Sequence, residues 1–400
     1  MEFKKSTEKR HLSKYIDKIV IIWMTLFFIG DFLSKISNIY LDGSFYRVNG
    51  FLKLGFEIVL FYYFVVNFRK QKILLYPISF LFLFVINQFS IENSFSIFFK
   101  GWSSGNIYFL NRFLYIFLFI AVFQFVELKT QTFPKIVNIL EKVLIINGFL
   151  ILLGFLFDLN IFKTYPSTVR FGYNGIFAKN GEVSYYYMFL ISSLYYNFLG
   201  KRQVNLIKLF FILLTSLLLG KKVMFLYLAL LALFHLLIIS KQKKILRPII
   251  FFTFIIAVFL KNNIINNIIK YSSFWGNAYN EYGLMGAVTS TRSILLEKAI
   301  QYISNEWNFI NYLIGGIEYN IYKVEFEFVD IFLFFGLIGV VIYFLFLINY
   351  FFERGNRNKN YLLTIILICS FFSGSLFLSV GCMMFLYITF KELVTQKFGE

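Results

Sequence analysis

Apolar runs long enough to cross a lipid bilayer recur along the whole chain, and no other feature restricts the fold as much. A helix needs roughly 20 apolar residues, range about 17–25, to span about 30 Å of hydrocarbon at about 1.5 Å rise per residue. Runs that fit this rule lie near 17–33, 51–67, 73–89, 107–126, 140–157, 183–199, 204–220, 223–240, 247–260 and 328–350. The last block, 361–390, is too long for one span and is interrupted by Ser373, Gly374 and Ser375, so two short helices are expected there. The expected fold class is therefore all-α: a polytopic integral membrane protein of about 12 transmembrane helices.

Composition excludes the alternatives. The chain is 59% apolar and 15% charged, against about 45–50% and about 25% in soluble domains. Too few polar groups remain to cover a soluble surface. An aromatic content of 22% also excludes disorder, collagen and coiled coil. Cys369 and Cys382 both lie in apolar stretches and imply no disulfide framework, and His11 and His235 are isolated. The basic leader MEFKKSTEKRHLSKYIDK is followed by an apolar run with no small-residue cleavage site, which reads as a retained first span.

The net charge of +18 is topological. With the N-terminus cytoplasmic, 24 of the 39 Lys and Arg residues fall on the inner side and 13 of the 21 acidic residues on the outer side, as positive-inside loops require. Nucleic-acid binding loses its main support. Three regions follow: transmembrane helices over 1–260, a large extracytoplasmic loop over 261–327, and further transmembrane helices over 328–400. A loop that long is usually functional. Within it Ile294, Leu295, Ala299, Ile300 and Ile303 recur at helical spacing opposite Glu297, Lys298 and Gln301, which predicts an amphipathic helix.

Charges at membrane depth are expensive and mark candidate sites. Arg170, Lys179, Asn180, Glu182 and Ser184 precede the span near 183–199, among Gly172, Gly175 and Gly181. Lys221 and Lys222 join two apolar spans on the outer side, where lysine is disfavoured, which suggests an anion to be held. Arg292 follows Thr289, Ser290 and Thr291, whose hydroxyls can cap the amphipathic helix; a helix N-terminus already favours phosphate. Glu325, Glu327 and Asp330 lead into the span near 328–350, and Glu327 and Asp330 share one helix face. A carboxylate at the mouth of a basic cavity can accept a hydroxyl proton. Gly336 and Gly339 read as helix packing, and no acidic cluster suggests a metal site.

Arg170 with Asn180-Gly-Glu-Val-Ser184, Gly220-Lys221-Lys222, and Glu325-Phe-Glu-Phe-Val-Asp-Ile-Phe-Leu-Phe-Phe-Gly-Leu-Ile-Gly339 together resemble a known family. It is the bacterial repeat-unit polymerases of O-antigen, capsule and exopolysaccharide synthesis, Wzy-type proteins within the O-antigen ligase and polymerase superfamily. The resemblance implies a GT-C-like, multi-pass protein of the plasma membrane with both termini cytoplasmic. It implies inverting, metal-independent glycosyl transfer at the outer face, without a cofactor, between undecaprenyl-diphosphate-linked glycans. In that reading Arg170, Lys221, Lys222 and Arg292 bind pyrophosphate, while Glu327 or Asp330, with Glu182 as second choice, is the base. Asn180 and Glu325 make further substrate contacts. Membrane lipids, a chain-length regulator and a flippase are the partners it admits. A lipid-linked repeat-unit flippase or transporter, and an O-antigen ligase-type transferase, are the competing readings. No histidine occurs between 236 and 400, where ligase-type relatives carry one, and no internal repeat supports a transporter.

Overall fold

The computed structural model describes residues 2–41, 48–68, 72–91, 104–126, 131–166, 170–240, 273–374 and 376–395. The span expected near 247–260, the first part of the long loop (261–272) and Thr168 lie outside these residues. The described chain is all-helical, and among the described residues extended backbone pairs only at the isolated bridge Lys163–Tyr173. The first eight helices are α1 (Glu2–Tyr40), α2 (Val48–Val66), α3 (Leu75–Ile91), α4 (Ser104–Val126), α5 (Thr132–Phe157), α6 (Asn180–Leu199), α7 (Leu206–Leu217) and α8 (Lys222–Phe234). Four further helices, α9 (Ser273–Thr289), α10 (Arg292–Glu306), α11 (Phe309–Ile314) and α12 (Tyr319–Tyr322), lie in the described part of the long loop. The chain then continues through α13 (Glu327–Tyr350), α14 (Arg357–Ser373) and α15 (Val380–Thr395).

Among the described residues six stretches are long and apolar enough to cross a membrane: Tyr15–Tyr40, Val48–Val66, Gly105–Phe125, Thr132–Phe157, Lys222–Ile239 and Glu327–Tyr350. Lys72–Asn87 and Leu206–Leu217 are apolar but shorter. Their outward faces carry exposed hydrophobic side chains, with Ile207 at 82%, a surface suited to lipid rather than water. This is a membrane-embedded protein.

Hydrogen bonds between helix ends sort the connections onto two sides. Lys35 of α1 donates to Asn174 Oδ1 and, at 2.5 Å, to the Gly175 carbonyl. Asn106 of α4 donates to the Ile317 carbonyl at 3.3 Å and accepts from the Tyr319 N–H at 2.9 Å. At the other end Thr132 donates to Asp17 at 2.6 Å, and Asn356 donates to the Tyr196 hydroxyl at 2.8 Å. Segments 158–166, 170–179, 218–221, 273–326, 374 and 376–379 therefore gather at one end, here called the loop end.

Without a hydrophobic drive between helices in lipid, packing and hydrogen bonds must hold the bundle. Phenylalanine supplies much of that contact. Phe80–Phe335, Phe109–Phe334 and Phe117–Phe346 lie with ring centroids 4.7, 4.2 and 4.5 Å apart, each pair worth about 0.5–1.5 kcal/mol beyond area burial. The amphipathic helix falls in α10, where Ala299 is buried and Leu295 and Ile303 pack on the core. Ile300 departs from the expected face and is exposed.

Gly336 does more than pack. Its φ of 67° breaks α13 in mid-course, freeing carbonyls that lipid cannot satisfy. The Gly316 N–H bonds the Leu333 carbonyl at 3.1 Å, and the buried Asn87 amide bonds that of Phe334 at 2.6 Å. A Cβ on Gly336 would lie 2.3 Å from the Leu313 carbonyl oxygen, so the break seats α11 against the bundle.

Candidate functional site: a cationic cluster beside two cavities

The loop after α5 folds back on itself. Asp158 ends α5 in a left-handed conformation, Lys163 pairs with Tyr173, and the Asn174 N–H reaches the Phe162 carbonyl at 2.9 Å. The Tyr173 N–H then bonds the Leu218 carbonyl at 2.9 Å, docking this loop on the α7–α8 turn. At that junction Gly172 and Gly220 meet backbone to backbone. A Cβ on Gly220 (φ +63°) would sit 2.3 Å from the Phe171 carbonyl oxygen and 2.8 Å from the Gly172 Cα. Only glycine permits both the left-handed turn and the approach. The neighbours of this lock are Arg170 and Lys221.

Both cations converge on Tyr165. The Arg170 guanidinium stands 4.2 Å from its ring centroid, and the Lys221 ammonium donates to its hydroxyl at 2.6 Å. Arg292 lies close enough to act electrostatically on Arg170, Lys221 and Lys222. Lys222 reaches across to the Ala287 carbonyl, and Arg292 donates to the Phe372 carbonyl at 2.8 Å. Four cations from three distant parts of the chain thus share one neighbourhood. Burial first, then the charges of Arg170 and Arg292, pushes Lys221 down to about 7. Arg170 is drawn below the usual guanidinium range, by burial first and also by Arg292. Such mutual repulsion favours an anion in their midst.

One carboxylate faces them. Glu325 Oε2 lies 3.5 Å from Arg292 Nε, its other oxygen lies 3.8 Å from Lys323, and its side chain is 42% exposed. Glu325 (φ 64°), Ser290 (φ 56°) and Thr291 (φ 69°) are non-glycine residues with positive φ beside Arg292. Strain of about 1–3 kcal/mol at each such residue concentrates where function needs a fixed geometry. Thr289, rather than Ser290 or Thr291, caps α10, its hydroxyl accepting the Ser293 N–H at 3.2 Å.

The other carboxylates do different work. Both oxygens of buried Glu327 accept backbone N–H groups, from Leu376 at 3.0 Å and Phe377 at 2.5 Å. Asp330 accepts the Val324 N–H at 2.7 Å and the Glu325 N–H at 3.0 Å. The two residues do share a face of α13, and both use it to hold loops at the helix start. Glu182 is buried 3.1 Å from Lys179, which its charge holds above the usual lysine range. Asn180 donates to the Thr164 carbonyl at 2.9 Å and accepts from Asn174 at 2.7 Å, so it ties the loop rather than facing the cations.

Two adjoining cavities lie at the loop end, the smaller reaching the cluster through Glu325. The smaller, about 190 Å³, is lined by Glu182, Tyr319, Lys323, Glu325 and Asp330 among others. The larger, about 670 Å³, lies between α1, α2 and α4 and is lined by Asp31, Asn49, Lys53, Glu57 and Asn111 among others. Arg112, Lys179 and Leu378 line both. Asp31, Lys53, Glu57 and Arg112 stand singly within apolar runs of the sequence, where an ionisable group inside a span is itself a signal of function. Among the described residues no group of three or more His, Cys, Asp or Glu side chains is placed to hold a metal ion.

Comparison of the chain with protein-family models, with curated proteins and with solved structures finds no match.

Proposed function

We propose that this protein polymerises undecaprenyl-diphosphate-linked oligosaccharide repeat units by inverting glycosyl transfer at the outer face of the plasma membrane. The observation that carries the reading is the meeting of Arg170 and Lys221 at Tyr165, with Lys222 and Arg292 in the same electrostatic neighbourhood. Cations preorganised in a low-dielectric site stabilise charge that develops on a departing diphosphate. In this reading about 12 spans cross the bilayer, the N-terminal helix enters from the cytoplasm, and the loop end faces outward.

An acceptor hydroxyl attacks the anomeric carbon of the donor's first sugar. The bond from that carbon to the diphosphate oxygen breaks, a glycosidic bond forms on the opposite face, and undecaprenyl diphosphate leaves with the electron pair. The cations hold that leaving group. The hydroxyl proton goes to a carboxylate, and we assign this role to Glu325. It is half-exposed, lines the smaller cavity and touches Arg292, whereas Glu327 and Asp330 are occupied by backbone N–H groups.

Purified protein in nanodiscs, supplied with lipid-linked repeat units from the host strain, should lengthen them into a ladder. Unlengthened units would refute the reading. Deletion in the host should leave single repeat units at the surface; units trapped on the cytoplasmic leaflet would favour a flippase.

A further inference from the structure

The larger cavity has an outline of its own. It is walled by three helices, and its volume of about 670 Å³ falls within the roughly 300–1,000 Å³ of small-molecule sites. Its lip is apolar and exposed: Phe51 at 69%, Leu54 at 52% and Tyr108 at 53%. On α2 and α4, both long enough to cross the membrane, such a lip faces lipid. Polar groups also line it. In its depth Asn49 donates to Asp31 and Lys53 stands in the field of Glu182 and Asp31, while nearer the surface Asn111 donates to Glu57 at 3.2 Å.

A free polar metabolite has no use for a greasy lip, and a lipid tail has no use for paired amides and carboxylates. A ligand that matches both is amphipathic, with a hydroxyl-rich head inside and an apolar stem in the bilayer. Planar amide and carboxylate groups can each engage two neighbouring hydroxyls, and Tyr108, with the Arg112 guanidinium stacked 3.8 Å from its ring centroid, sets an aromatic and cationic wall at the mouth.

We propose that this cavity is a glycan site for the acceptor, entered from the bilayer past Phe51, Leu54 and Tyr108, and separate from the diphosphate site. It takes the sugars of a lipid-linked oligosaccharide and sets which repeat unit is accepted. This rests on the polymerase reading and goes beyond it. The cavities adjoin through Arg112, Lys179 and Leu378, and the smaller one holds Glu325, which pairs with Arg292 of the cationic cluster. A glycan in the larger cavity can therefore extend its terminal hydroxyl through the smaller one toward the base and the leaving group.

Gly50 lines the larger cavity, and a Cβ there would meet nothing within 4 Å. Gly50→Leu and Gly50→Trp therefore add bulk at the cavity wall with no clash at the first side-chain carbon. Two readouts are needed on the full chain: surface polymer in the host strain, and binding of undecaprenyl diphosphate, which lacks sugars, to purified protein in nanodiscs. Polymer should fall by about tenfold or more with Trp and less with Leu, while undecaprenyl diphosphate binding and the thermal midpoint hold. Wild-type polymer in Gly50→Trp overturns the glycan site and leaves the polymerase reading standing. Loss of undecaprenyl diphosphate binding in Gly50→Trp overturns the separation of the two sites. Wild-type protein that binds no undecaprenyl diphosphate removes the polymerase reading and the glycan site with it.

Discussion

Gly220→Ala is the substitution whose effect the geometry predicts most fully. The residue has φ +63°, and its Cβ would stand 2.3 Å from the Phe171 carbonyl oxygen. A carbon and a carbonyl oxygen rest at about 3.3–3.6 Å, so the Arg170 loop must retreat by about 1 Å. The left-handed conformation costs about 1–2 kcal/mol for a residue with a Cβ. Against a native stability of about 5–15 kcal/mol the protein still folds. Activity should suffer more, because a shift of about 1 Å at a positioned group costs on the order of 100-fold, or about 2.7 kcal/mol in the barrier. Gly355→Ala is the matched control: its φ is +89°, nothing lies within 4 Å of the added Cβ, and it sits in the turn before α14. In the ladder assay Gly220→Ala should lose about 100-fold in rate while Gly355→Ala keeps the wild-type rate. Equal rates in the two variants would refute the claim that the Gly172–Gly220 lock positions the cations.

Other outcomes follow from the same contacts. Burial and the neighbouring guanidiniums hold Lys221 down to about 7, so undecaprenyl diphosphate binding should weaken as pH rises through 7; Lys221→Met together with Lys222→Met should flatten that step, and an unchanged pH profile in the double variant would contradict the role of the lysine pair. Glu327→Gln replaces an acceptor of two buried N–H groups and should cost about 1–3 kcal/mol of stability, read as a lower thermal midpoint in nanodiscs; a lost rate at unchanged midpoint would instead make Glu327 the base. Lys35→Met abandons the Asn174 and Gly175 acceptors and should likewise lower the midpoint while weakening undecaprenyl diphosphate binding, since it frees the loop bearing Arg170. Glu325→Gln should abolish ladder formation with undecaprenyl diphosphate binding intact, and a surviving ladder would remove it as the base.

The parts of the site legible in the sequence are those announced by local contrast. Arg170, Lys221 and Lys222 stand out because they interrupt apolar runs beside glycines, and the glycines mark the Gly172–Gly220 junction that brings them together. Arg292 is visible because it opens a helix with clear periodicity. What stays hidden depends on contacts across the fold. The separation of Glu327 and Asp330 places them on one face, but the N–H groups of Val324, Glu325, Leu376 and Phe377 that occupy them come from loops whose docking no spacing encodes. Asp31, Lys53 and Arg112 are single charges within apolar segments, and only the approach of α1, α2 and α4 makes a cavity of them. The break at Gly336 is similar: glycine spacing predicts close packing, whereas the partner that demands a broken helix, α11, is distant in sequence.

The central claim is that four cations form one diphosphate grip, and direct binding tests it best. Protein in nanodiscs should bind undecaprenyl diphosphate at least about tenfold more tightly than undecaprenyl monophosphate. Arg170→Ala combined with Arg292→Ala should erase that preference and weaken diphosphate binding by about 100-fold or more, at about 1.5–3 kcal/mol for each charged hydrogen bond lost. Equal affinity for the two lipids in the wild type, or a double variant that binds like the wild type, would contradict the account.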